Sequence, residues 1–129
     1  MQHDKQTIAE LVEAFTVSVL KYSEYVLKDS NIANRHFDNY REALRRIAAH
    51  SDKGLVALAK LLDDDRIVVR VTVACNLIHF RTEKAMSILK DASKLEHRAI
   101  AMLAIVTLKR WERGTYFDPA TGKATERPA

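Results

Sequence analysis

Apolar residues return every three or four positions over the first third of the chain. Ile8, Leu11, Val12, Phe15, Val19, Tyr22 and Val26 lie on one stripe, as in a helix with one face in a core. Thr7-Ile8-Ala9-Glu10 opens it as a capping box, the Thr hydroxyl and Glu carboxylate reciprocally satisfying amides that a helix start leaves unpaired. Val17, Leu20 and Leu27 fall off this stripe, which gives the helix a second, partly apolar face that another subunit could cover. Asp29-Ser30-Asn31 supplies capping side chains for a second helix with Ile32, His36 or Phe37, Tyr40, Leu44 and Ile47 facing inward. Glu42 stands three and four residues from Arg45 and Arg46, the spacing of exposed ion pairs on a helix surface.

His50-Ser51-Asp52 interrupts the pattern, and Leu55, Leu58, Ala59 and Leu62 predict a short third helix that stops at Asp63-Asp64-Asp65. Acids suit the start of the following helix, where a side-chain oxygen and the helix dipole both favour negative charge. A fourth helix is therefore expected over 66–80, a fifth over 83–93, and a sixth over 96–113 that Gly114 terminates. Short joints make sequential helices antiparallel. Residues 115–129 carry no periodicity and are expected to form an irregular tail, with Tyr116 and Phe117 available to anchor it. The chain thus reads as all-α, a single helical domain over 1–114 built from about six helices.

Composition narrows this further. Three Gly and two Pro in 129 residues are few for a turn-rich protein, and a chain of this length buries roughly two-thirds of its unfolded surface without disulfides or metals. Cys75 is the single cysteine and its neighbours are apolar, so a reduced structural thiol is expected. The first residues lack the charged-then-apolar layout of a secretory leader, and the uncharged run Val71 to Phe80 is too short to span a bilayer. A cytoplasmic protein is the expectation.

Sliding the chain by 31 residues places Leu58 on Leu89, Asp65 on Glu96, Val69 on Ile100, Val73 on Ala104, Leu77 on Leu108 and Phe80 on Trp111. Amphipathic helix pairs repeated in this way stack and share a core with their neighbours. Leu61-Leu62-Asp63-Asp64-Asp65 followed by Val69-Arg70-Val71-Thr72-Val73-Ala74-Cys75-Asn76-Leu77 resembles the core signature of a HEAT repeat: an acid-containing turn, Val-Arg, then small residues and Leu. The second unit departs from it, with Ala101 where the arginine would fall. The likeness covers about residues 54–113, and the whole chain also resembles a compact bacterial family of HEAT-like domains of unknown function. The resemblance implies a short right-handed α-α superhelix of the armadillo type. It also implies a protein-binding role, as in small helical-repeat immunity proteins that act against toxins.

Candidate chemistry is sparse. His3, His36, His50, His79 and His97 do not form with Cys75 the four-ligand pattern of a structural zinc site, so no metal is expected. Asp63, Asp64 and Asp65 lack the alternating oxygens and glycine of a calcium loop, and no Gly-rich phosphate loop or nucleophile constellation is present. No cofactor is expected. The charge excess lies between residues 51 and 113, with twelve Lys/Arg against eight Asp/Glu. Within it, Arg66, Arg70, Lys94, Arg98, Arg110 and Arg113 fall near helix ends and form the candidate interaction surface. The expected function is a non-enzymatic protein-protein interaction module, a scaffold or immunity-type protein, whose partner is another protein or a second copy of the chain. The rival is nucleic-acid binding through those basic residues, including the glycosylase-like chemistry of related HEAT grooves, for which Trp111 and the three acids are the nearby candidates.

Overall fold

A computed structural model describes residues 6–119 and 121–123. Among them are six α-helices and no strand: α1 Ile8–Tyr25, α2 Ser30–Ala48, α3 Ser51–Ala59, α4 Ile67–Leu77, α5 Thr82–Ala92 and α6 Arg98–Glu112, with a 3-10 turn Lys60–Asp63 between α3 and α4. The fold is all-α, as expected. The chain divides into two compact units, the first running to Leu58 and the second from Ala59.

In the first unit the capping box forms as read. Glu10 N–H donates to Thr7 Oγ1 at 3.0 Å and Thr7 N–H donates to Glu10 Oε1 at 2.8 Å. Asp29 caps α2 by accepting from Asn31 and Ile32. The pairs Phe15–Tyr40, Tyr22–Phe37 and Tyr25–His36 descend along α2 as they ascend along α1, so the two helices are antiparallel. Leu11, Phe15, Val19, Leu44 and Ile47 are buried between them. Val17 and Leu27, off the stripe, are exposed. Glu42 pairs with both Arg45 and Arg46 on the outer face.

In the second unit α5 packs against α4 and α6, and α4 also meets α6. Helix α4 is the central element: Val69, Val71, Val73, Ala74 and Leu77 are at most 1% exposed. It ends at Leu77, three residues short of the expected Phe80, because Phe80 and Arg81 N–H both turn back to the Leu77 carbonyl and redirect the chain into α5. Helix α6 starts two residues later than expected. His97 is its cap, Nδ1 accepting from Ile100 N–H at 3.3 Å. Its other end is a Schellman motif on Gly114, which takes φ +72° while Gly114 N–H reaches Trp111 O and Thr115 N–H reaches Arg110 O.

Candidate interaction surface

The six basic residues do not act alike. At the start of α4 the Asp64 carboxylate accepts from the backbone N–H of Arg66 at 2.9 Å and from its guanidinium Nε and Nη2 at 2.9 Å each. Arg66 thereby holds the Asp64 carboxyl down at about 2. The N-cap of α4 is Arg66 itself, without a side-chain cap bond, so the acids do not cap this helix directly, as the sequence had suggested. They order the turn before it. Arg70 Nη1 reaches back to the carbonyl oxygens of Asp64 at 2.8 Å and Asp65 at 3.4 Å, and Lys84 Nζ lies 2.6 Å from Asp63. Asp63 and Asp64 are thus paired with cations of the protein, and Arg66 and Arg70 serve to build the turn.

Lys94, Arg98, Arg110 and Arg113 are exposed and take part in no ion pair among the described residues. Lys94 lines a surface depression along α5 with Glu83, Met86, Ser87, Lys90 and Asp91, where the charges alternate in sign. Arg98 opens α6, while Arg110 lies in its last turn and Arg113 is its C-cap. Twelve residues of helix separate Arg98 from Arg110, about 18 Å at 1.5 Å per residue. The structure therefore brings Arg66 and Arg70 together on one turn, and puts Arg98 and the Arg110–Arg113 pair at opposite ends of another helix.

Between those ends lies an apolar face that the pattern of charges does not reveal. Ile100, Ala101, Ala104, Thr107 and Trp111 form the buried face of α6. At about 100° per residue the opposite arc holds Met102, Leu103 and Val106, which are 58%, 42% and 37% exposed. The 31-residue shift of the sequence sets these residues beside positions of α4. Their counterparts in α4 are Val71, Thr72 and Cys75, only 1%, 7% and 8% exposed. At Cys75 the covering element is identifiable: Thr107 of α6 donates its hydroxyl to Sγ at 3.3 Å. The face that α4 has covered, with α6 against it at Cys75, is left bare on α6.

Among the described residues, the start of the tail does not fill that face. Tyr116 is buried against Trp111, with ring centroids 5.6 Å apart, and its hydroxyl donates to the Cys75 carbonyl at 2.7 Å. The chain after α6 thus turns to the inner side of the helix. Asp118 Oδ2 lies 3.6 Å from His79 Nε2. Of the two expected anchors, Tyr116 is docked and Phe117 is exposed.

Two titratable groups of this unit, Cys75 and His79, are shifted by burial. Burial pushes the Cys75 thiol up to about 11, outweighing the Thr107 hydrogen bond, so it stays a neutral thiol near pH 7. Burial lowers His79, partly offset by the Asp118 carboxylate. Among the described residues no helix is long and apolar enough to cross a membrane. Set against family profiles, curated proteins and solved structures, the chain finds no match in any of the three.

Proposed function

We propose that the chain is a protein-protein interaction module of the HEAT-like helical-repeat type, non-enzymatic, whose recognition surface is the outward arc of α6. The observation that carries this is the exposure of Met102, Leu103 and Val106 at repeat positions that are buried in α4. Contiguous exposed apolar side chains on a helical-repeat surface mark a place where another protein packs. A scaffold and an immunity protein against a toxin both fit such a surface.

The rival, phosphate-backbone binding, draws on Lys94, Arg98, Arg110 and Arg113. It is the weaker reading. Arg66 and Arg70 are committed to the acid turn, and the centre of the arc is apolar and carries no aromatic ring to stack on a base.

The test compares affinity capture from cells by the wild-type chain and by a Met102→Gln/Val106→Gln variant, with helicity checked by circular dichroism. A salt-series titration of both against duplex and single-stranded DNA and RNA runs alongside. The reading expects a protein that the wild type retains and the variant loses, without nucleic-acid binding at physiological salt. Identical capture by the two chains, or nucleic-acid affinity that falls steeply with salt, contradicts it.

A further inference from the structure

The occupant of the α6 arc can be specified by its chemistry. We infer that the arc binds an amphipathic α-helix of a partner protein, one whose short apolar stripe is flanked at both ends by carboxylates. This rests on the protein-binding reading above and adds the partner's shape and charge.

The shape follows from the repeat. α6 covers α4 at Cys75, and Val106 occupies the equivalent place on α6. The element that completes the pattern is therefore another helix, lying on α6 as α6 lies on α4. From Met102 to Val106 the bare face is about one turn long, and with Ala99 about two, a length that a pair of apolar turns on an incoming helix would cover. This is helix-against-helix recognition with anchors at three- and four-residue spacing.

The charge follows from the ends. Arg98 bounds the stripe on one side, and Lys109, Arg110 and Arg113 bound it on the other. The one acid of α6, Glu112, points away from the centre of the arc by its helical position. A ligand lying along this line meets cation, apolar and cation in order, so its complement is carboxylate, apolar and carboxylate. A second copy docking its own α6 antiparallel by two-fold symmetry would set Arg98 of one chain beside Arg110 and Arg113 of the other, a juxtaposition of like charges that disfavours the homodimer. A membrane-surface helix carries its cations on a polar face beside a broad apolar face rich in aromatic residues. Here the cations share the arc with the apolar side chains and stand in line with them.

The experiment is a selection of displayed helix-forming peptides against the full-length chain. The peptides vary at the apolar stripe and at the positions beyond both ends of it. Enriched peptides are then titrated by fluorescence anisotropy against the wild type, Met102→Gln/Val106→Gln and Arg98→Gln/Arg110→Gln/Arg113→Gln. The expected outcome is enrichment of Asp and Glu at both ends of the stripe. Affinity should fall about ten-fold or more in each variant, and added salt should weaken binding to the wild type but not to the arginine variant. Enriched peptides with neutral or basic ends overturn the inference, as do peptides that bind the variants as tightly as the wild type, or a selection that enriches nothing. Sedimentation with anionic phospholipid vesicles that exceeds peptide binding, or concentration-dependent dimerisation lost in Met102→Gln/Val106→Gln, overturns it in favour of a lipid surface or a second copy. Loss of a captured cellular protein in the apolar variant, with no acidic preference among the peptides, would leave the protein-binding reading standing and remove this one.

Discussion

Tyr116 closes the second unit by donating a 2.7 Å hydrogen bond to the carbonyl oxygen of Cys75, 41 residues earlier in the chain. α4 ends at Leu77, so Cys75 is among the last residues of a helix, whose carbonyls have no partner within it. The phenol satisfies one of them in a buried setting, and Tyr116→Phe leaves that oxygen unpaired while keeping the ring against Trp111. The expected cost is about 1–2 kcal/mol, read as a lower urea midpoint with an unchanged slope. An unchanged midpoint would mean that this hydrogen bond contributes nothing to the stability of the unit.

Gly54 is required by a close approach. A Cβ at this position would stand 1.9 Å from the carbonyl oxygen of Ile47 and 2.9 Å from its carbon, where only backbone movement makes room. Alanine is the better helix former by about 1 kcal/mol, so in an open helix Gly54→Ala would stabilise. Here it is expected to destabilise by about 2–3 kcal/mol through overpacking, seen as a lower Tm in thermal unfolding. A raised Tm would show that α3 does not lie against the end of α2 in this way.

His79 makes the second unit sensitive to acid. Its Nδ1 is buried without a hydrogen-bond partner, and Nε2 faces Asp118. Burial lowers its pKa below the ordinary 6.5, against the pull of Asp118, so the fold favours the neutral ring. The unfolded chain then binds the proton more readily. The stability from keeping His79 neutral is complete above pH 6.5 and is lost as the pH falls from there through the lowered value. Denaturation midpoints measured from neutral pH down to about pH 5 should fall, with part of the slope absent in His79→Gln. The same slope in that variant would assign the effect to other groups.

Arg70 and Arg98 separate structure from recognition. Arg70 is half-buried and holds the acid turn through two backbone carbonyls, so Arg70→Ala is expected to cost about 1–2 kcal/mol. Arg98 is exposed at the start of α6, and Arg98→Ala should stay within about 0.5 kcal/mol of wild type. Chemical denaturation of the two variants checks this, and the reverse order would contradict the division of the six basic residues drawn above.

The features legible in the sequence were those fixed by near neighbours. The Thr7–Glu10 box, the Asp29 cap, the Gly114 stop and the inward stripe of α1 each depend on residues within a turn or two, and all are present. Of the positions that the 31-residue shift aligns, Val69 and Ile100, and Val73 and Ala104, are buried alike, whereas Leu77 is buried and Leu108 half-buried. The His97 cap was not legible, because histidine is an uncommon cap residue. Tyr116–Cys75 and His79–Asp118 join positions far apart in the chain, which no periodicity connects. The candidate surface was half visible. Arg98, Arg110 and Arg113 could be picked out as charges near helix ends, but the repeat alone would align Met102 and Val106 with the buried Val71 and Cys75. Exposure depends on whether a further helix is stacked there, and only the packed structure reports it.

The most direct test of the central claim is a photo-crosslinking amino acid placed at Met102 and, as a control, at Lys90 on the outer side of α5. Irradiation of cells expressing either chain is followed by mass spectrometry of the crosslinked species. The account predicts a discrete protein adduct from position 102 that is absent from position 90, with the crosslinked peptide of the partner in a helical, acid-rich segment. Adducts to nucleic acid, or the same adducts from both positions, would contradict it.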